Sequence, residues 1–310
     1  MAGFTDAPFR RLCFEGGAAL SYSEMVSAAG LAHGSKPTEE LMETLDGEGP
    51  VSLQLFGAKP DEMAIAVKAV TGFLAAAKNH LVVELNLNAG CPMSKVTRCG
   101  AGAALVKEPR LVGELLAAMR ENSPLPVTLK TRLGPHPGDI KIFDLLAEAE
   151  KAGAKSIAVH ARFTSQLHGG DTNLALLAEV KRRAKIEVFG NGSVKDRESA
   201  AAMAATGVDA ILIGRAALGN PAIFAQLSGE KRELPDLFGR HIRYLLEFRE
   251  LLAGKYAHVP SADDFVCLKA RTHLFRYLSG LPGAAELRRK LHHVRTLADL
   301  KSLVDISRKI

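Results

Sequence analysis

The chain is poor in cysteine, and the few it has are badly spaced for cross-linking. Four stand in 310 residues, at Cys13, Cys91, Cys99 and Cys267. None forms a CxxC pair and the spacing fits no zinc site, which argues against structural zinc, an iron–sulfur cluster or a disulfide framework. No metal is expected, and the thiols fit a reducing cytoplasm. No apolar run is long enough to span a bilayer. The opening MAGFTDAPFRR lacks a basic region followed by an apolar core, so neither a signal peptide nor a membrane partner is expected. A GxGxxG after the first strand is also missing, which removes the strongest sign of a dinucleotide-binding open sheet.

What remains is ordinary for a globular protein: 47% hydrophobic and 24% charged residues. The length suits one large domain and a small one. The charge is uneven. Residues 236–310 hold 14 Lys/Arg and 8 Asp/Glu, and so carry all of the net +6. Such asymmetry points to a polyanionic partner for the tail, or else to a solvated basic helical face.

Short β-rich runs alternate with helical stretches. The runs are ALSYSEM (19–25), VSLQLF (51–56), VVELNL (82–87), VTLKTRL (127–133), SIAVHAR (156–162), IEVFGNG (186–192) and AILIGR (210–215). Helix-like segments such as EMAIAVKAVTGFLAAA and LVGELLAAMREN lie between them. The βαβα period predicts a parallel sheet with crossover helices. Seven strands precede residue 220, and a closed (β/α)8 barrel has eight. We therefore expect a TIM barrel over residues 1–232, its first strand truncated, in preference to an open doubly wound sheet. A small α-helical domain over 236–310 should follow. Ser261 with Asp264 predicts a capped helix start, and Pro235 and Pro282 punctuate the segments.

Catalytic groups of such barrels collect at the strand ends. Here those ends carry Gln54, Asn86, Asn88, Cys91, Lys130, Arg132, His160, Arg162, Asn191, Gly192, Gly214 and Arg215. Period two puts Lys130 with Arg132, and His160 with Arg162, on one side of their strands. Paired cations at buried strand ends call for a ligand or a counter-ion. The glycines of VFGNG and LIGR let backbone N–H groups approach a bound phosphate, with Arg215 as a fixed positive fork. Gln54, between Leu53 and Leu55, should point inward and meet a partner such as the imide edge of a flat heterocycle.

MAGFTDAPFR, SLQLFG, ELNLNAGCPMSKV, GAGAALVKEP, VTLKTRLG, VHAR, GNGSV and ILIGRAALGNPAIF together resemble the bacterial FMN-dependent tRNA-dihydrouridine synthases, over residues 1–225 and, in the helical tail, beyond. The resemblance implies an oxidoreductase acting on a CH–CH bond. FMN would be reduced by NADPH, and a uridine of tRNA would lose its C5–C6 double bond. The FMN ring would meet Met1, Ala2, Gln54, Lys130 and His160, and its phosphate would lie near Asn191, Gly192, Gly214 and Arg215. A monomer is expected.

The chemistry explains the thiol in the Gly–Cys–Pro turn. Hydride added at C6 of uracil leaves negative charge on C5 and O4, and C5 then needs a proton. A thiol is largely protonated near neutral pH and can supply it. Cys91 is the expected acid. Asn88, Arg132 and Arg162 would contact the uridine, and Lys130 or His160 would offset charge on the flavin. The base must leave its stack to reach a buried flavin. The rest of the tRNA would lie on the tail, where Lys269, His273 and Arg276 form one helical stripe beside Arg271. Two other readings compete: an FMN barrel acting on a small molecule, of the dihydroorotate-oxidising kind, and an RNA-binding module on an inactive barrel. Neither accounts for both the basic tail and the strand-end residues.

Overall fold

The computed structural model describes residues 1–278 and 284–307. Pro282 lies outside them. Seven strands occur among the described residues: β1 (Ser21–Ser27), β2 (Val51–Phe56), β3 (Val82–Ala89), β4 (Val127–Arg132), β5 (Ser156–His160), β6 (Glu187–Asn191) and β7 (Ala210–Leu212). They form one sheet in chain order, β1 to β7. Every pair from β2 to β7 is parallel. Sequential order with a helix after each strand is the topology of a TIM-type barrel.

Fourteen helices of the α type accompany them among the described residues. Those before residue 215 are α1 (Ala7–Glu15), α2 (Ala28–Ala32), α3 (Lys36–Glu39), α4 (Pro60–Ala76), α5 (Ser94–Thr97), α6 (Pro109–Glu121), α7 (Ile142–Lys151), α8 (Leu174–Arg183) and α9 (Arg197–Ala204). After it come α10 (Ile223–Ser228), α11 (Leu237–Ala253), α12 (Ala262–Tyr277), α13 (Ala284–His293) and α14 (Leu297–Ser307).

The chain divides into two compact units. One comprises residues 25–42 and 50–214, and the other residues 1–24, 43–49 and 215–310. A single cut near residue 232 does not reproduce this division.

In the sheet unit, Leu53, Leu55, Leu85, Leu87, Leu129, Ile157 and Val159 are fully buried. They alternate with Ser52, Gln54, Asn86, Asn88, Thr128 and His160, which are also buried. Parallel strands are covered on both faces, so both sets lose water, and the polar set must find its own partners. The helices cover the apolar face by periodicity. Met63, Ala66, Val67, Val70 and Leu74 of α4 are buried, as are Val112, Leu115, Leu116 and Met119 of α6. Pro60 and Pro109 start these helices, where a missing N–H costs nothing.

The other unit is helical. Phe238, Leu245, Phe248, Val266, Leu274, Leu287, Leu291 and Leu300 make its core, together with Leu12 and Leu45. Ser261 accepts a hydrogen bond from the Asp264 N–H at 3.1 Å, the expected N-cap of α12. The segment 43–49 is tied in by a buried ion pair. Arg10 Nε donates to Glu48 Oε2 at 2.7 Å and Nη2 to Glu48 Oε1 at 3.2 Å. Two more Arg10 donors reach the carbonyls of Thr5 and Glu43. A bidentate pair with its remaining donors satisfied is the arrangement in which a buried charge is tolerated.

Candidate active site

Register places the polar strand ends side by side. Gln54 pairs with Asn86, Asn88 with Lys130, Arg132 with His160, and His160 with Asn191. In-register residues of parallel strands share a face, so these side chains line one surface.

They are linked by hydrogen bonds. Gln54 Nε2 donates to Asn86 Oδ1 at 2.8 Å, and Asn86 Nδ2 donates to Thr128 Oγ1 at 2.8 Å. Asn88 Nδ2 donates to Gln54 Oε1, also at 2.8 Å. The Asn88 side-chain oxygen accepts from the N–H groups of Gly90 at 3.1 Å and Cys91 at 3.0 Å. Asn88 therefore holds the cysteine turn, where the sequence had suggested a contact to the uracil edge. A Cβ at Gly102, whose φ is +60°, would come within 2.7 Å of the Cys91 carbonyl oxygen. That carbonyl accepts from the Ala103 N–H at 2.9 Å. The turn is pinned from both sides, and the Cys91 side chain is half-exposed at its tip.

Beside it stand the cations. Arg132 is buried. Its Nε donates to the Gly90 carbonyl at 2.8 Å, and its Nη1 to the carbonyls of Phe163 at 3.2 Å and Leu167 at 2.8 Å. Arg162 is likewise buried, donating to the carbonyls of Gly169 and Gly170 and to Ser193 Oγ. Both expected substrate arginines thus tie down the loops after β3, β5 and β6. Lys130 is half-buried and joins no ion pair among the described residues. Burial, and then the nearby Arg132, lower its pKa to about 8, while Cys91 pushes the other way.

Burial also pushes His160 far below its ordinary value, helped by Lys130, Arg132, Arg162 and His168. Arg162 Nη1 lies 3.2 Å from His160 Nε2. A guanidinium only donates, so Nε2 accepts and the ring's proton sits on Nδ1. His168, an exposed loop residue whose ring stacks 6.1 Å from that of His160, was missed from the sequence. It follows the strand end by eight positions in a loop of no recognisable pattern.

The phosphate-loop candidates are divided between the units. Asn191 Nδ2 donates to the Leu212 carbonyl at 2.8 Å. Gly192 has φ +128°, and a Cβ there would meet Thr172 at 2.7 Å and His160 at 3.1 Å. Only glycine fits that turn. Gly214 ends the sheet unit, whereas Arg215, Met1 and Ala2 belong to the helical unit.

The tail departs from the expected stripe. His273 is 1% exposed, packed against Phe9 with ring centroids 4.6 Å apart, and cannot meet a phosphate. Lys269 Nζ stands 3.8 Å from Asp6 Oδ2 and 3.9 Å from Glu24 Oε2. Arg271 Nε donates to the Cys267 carbonyl at 3.1 Å, and Arg276 is exposed. Spacing put Lys269, His273 and Arg276 on one helical stripe beside Arg271, but packing covered part of that stripe.

A cation-rich strand-end face beside a half-exposed thiol, on a parallel βα scaffold, defines an enzyme of the TIM-barrel class. A model of the dihydrouridine synthase (Dus) family matches residues 1–310. The probable tRNA-dihydrouridine synthase of Mycobacterium leprae is 33% identical, over 98% of this chain and 86% of that protein. The tRNA-dihydrouridine synthase B of Pseudomonas syringae pv. tomato is 36% identical, over 93% and 83%. The probable tRNA-dihydrouridine synthase 1 of Synechocystis sp. is 31% identical, over 98% and 84%. The chain belongs to the dihydrouridine synthase family, a family of oxidoreductases.

Proposed function

We propose that this protein is a tRNA-dihydrouridine synthase. It reduces the C5–C6 bond of uridines in tRNA, using FMN as its flavin and NADPH as electron donor. The supporting observation is the Cys91 turn: a thiol held by Asn88 and by the Gly102–Ala103 backbone, beside Lys130 and Arg132.

The residues fit a flavin. Lys130, Arg132, His160 and Arg162 offer positive charge and donors. Such a face suits an anionic phosphorylated ligand. Lys130 and His160 would hold the ring's electron-rich edge, with Asn191 and Gly192 toward the phosphate. When bound, the flavin supplies the hydride that uracil accepts at C6.

The chain's own part is proton transfer and placement. Cys91 Sγ gives its proton to C5, which removes the negative charge that hydride addition leaves there. Lys130 Nζ, with a pKa of about 8 and sensitive to Cys91, is matched to return a proton to the sulfur near neutral pH. His160, held neutral, adds no competing charge. Arg132 and Arg162 keep the flanking loops in place. The exposed basic residues of the helical tail, Arg276 foremost, hold the tRNA backbone. No helix among the described residues is long and apolar enough to cross a membrane, and a tRNA-modifying enzyme would work in the cytoplasm.

Purified protein should show a flavin spectrum, and with NADPH it should form dihydrouridine in tRNA lacking that modification. A flavoprotein that consumes NADPH but leaves such tRNA unmodified, and does not shift it in a gel, would refute the reading.

A further inference from the structure

The helical unit buries three ligand-type side chains that the reduction of uridine does not use. Asp6 caps α1, His241 lies on α11 and His273 on α12. All three are buried: Asp6 4%, His241 0% and His273 1% exposed. One potential ligand atom from each lies within 4.8 Å of the other two.

Their hydrogen bonding is incomplete on the side where they converge. Asp6 Oδ1 accepts from the Phe9 N–H at 3.2 Å. Asp6 Oδ2, His241 Nε2 and both ring nitrogens of His273 are buried with no hydrogen-bond partner. Lys269 Nζ, at 3.8 Å from Asp6 Oδ2, is too far for a hydrogen bond. The Phe4 backbone is close enough to favour protonation of His273 but does not complete a hydrogen bond to it. Unpartnered buried polar atoms are rare in a folded protein, and here one from each of the three residues converges.

The surroundings favour a metal over a proton. Phe9 lies 4.6 Å from the His273 ring and 6.3 Å from the His241 ring, and Phe4 lies 5.7 Å from His273. The two imidazoles are 4.6 Å apart. Burial in this apolar cage disfavours the charged form of both rings, although Asp6 favours it on His273. Neutral imidazole is the ligating form. His241 Nδ1 meets the Tyr277 hydroxyl at 2.8 Å. If Nδ1 donates there, Nε2 is left with its lone pair directed at Asp6 and His273. A ligating histidine is normally oriented in this way by a partner on its other nitrogen.

We propose that Asp6, His241 and His273 form a binding site for a zinc-class divalent cation, with Tyr277 orienting His241. Two imidazoles and one carboxylate make three ligands of the kind zinc takes at about 2.0–2.2 Å, with water as the fourth. The spread of 4.8 Å closes to tetrahedral contacts by small side-chain rotations. The ion joins the start of α1 to α11 and α12, and so fixes the N-terminal segment against the helical tail. This holds whether or not the protein reduces uridine.

The test uses the full chain, freed of metal with a chelator and titrated with zinc chloride against a chromophoric indicator. One zinc per chain should bind at micromolar concentration or below, and the melting temperature should rise with zinc. His273→Ala should weaken binding by about 100-fold or more. Tyr277→Phe keeps all three ligands and the fold, and should weaken it roughly 10- to 100-fold. Cobalt(II) in place of zinc should give visible d–d bands without a thiolate charge-transfer band. Absence of stoichiometric binding would overturn the site. So would equal affinity in wild type and Tyr277→Phe, or a thiolate band, which would place the metal on cysteine.

Discussion

The Asn88 side-chain oxygen accepts the backbone N–H of Cys91 at 3.0 Å, so the residue three positions upstream sets where the thiol sits. Asn88→Ala should lower the rate of dihydrouridine formation by roughly 10²-fold, the scale of a small misplacement of a reacting group. Asn88→Asp keeps the acceptor and should recover much of the rate. Flavin content should be similar in both variants. Equal rates for Asn88→Ala and wild type would show that the turn holds itself.

Cys91→Ala should still bind FMN and still be reduced by NADPH, because the cations lie on β4 and β5. Transfer to tRNA should slow by about 10²-fold or more, as expected for loss of a general acid. Single-turnover formation of dihydrouridine at neutral pH is the measurement, and an unchanged rate excludes Cys91 as the acid.

Lys130 should impose a pH dependence on flavin binding. Its pKa falls from 10.5 to about 8, so the free protein carries this charge below pH 8 and loses it above. FMN affinity should therefore decline as pH rises through about 8, and Lys130→Met should be weak at every pH. Stability runs the other way. Between pH 8 and 10.5 the unfolded chain binds more protons at this residue than the folded one, so its contribution to stability rises with pH in that window. Urea midpoints of wild type and Lys130→Met at pH 7.5 and 9.5 should converge at the higher pH, and parallel behaviour would contradict the shift.

For the tail, Arg276→Ala should reduce tRNA affinity and lower the log–log salt slope by about one unit for each lost phosphate contact. Lys269→Ala should change the slope less, because Asp6 and Glu24 already oppose its charge at 3.8 and 3.9 Å. His273→Ala should not change it at all. Binding curves at four salt concentrations decide the matter, and an unaltered slope for Arg276→Ala would move the RNA off this helix.

The strands were legible because their signal is local. VSLQLF is β2 residue for residue, and VVELNL falls short of β3 by only two. The strand-end set was legible for the same reason, since period two and the βα alternation place Gln54, Lys130 and His160 on one face without any knowledge of neighbours. What each side chain does there was not. Asn88, Arg132 and Arg162 were read as substrate contacts, and each also bonds to loop backbone, for Arg132 at Leu167, 35 residues away in the chain.

The helical tail shows the limit most clearly. Spacing on α12 says which residues share a face, but not which face is covered. Phe265, Val266, Cys267 and Ala270 are buried while Leu268 is 63% exposed, so hydrophobicity could not choose. Packing against α1 and α11 chose, and it turned His273 inward. The same long-range packing joins residues 43–49 to the helical unit through Arg10 and Glu48. It also gathers Asp6, His241 and His273 from opposite ends of the chain. Cysteine spacing had argued against a metal, but a site built from three distant elements leaves no spacing to read. Local periodicity was sufficient to specify the elements and the strand-end face. Burial, which depends on contacts made only after the chain has folded, decided which charged groups face water and which face one another.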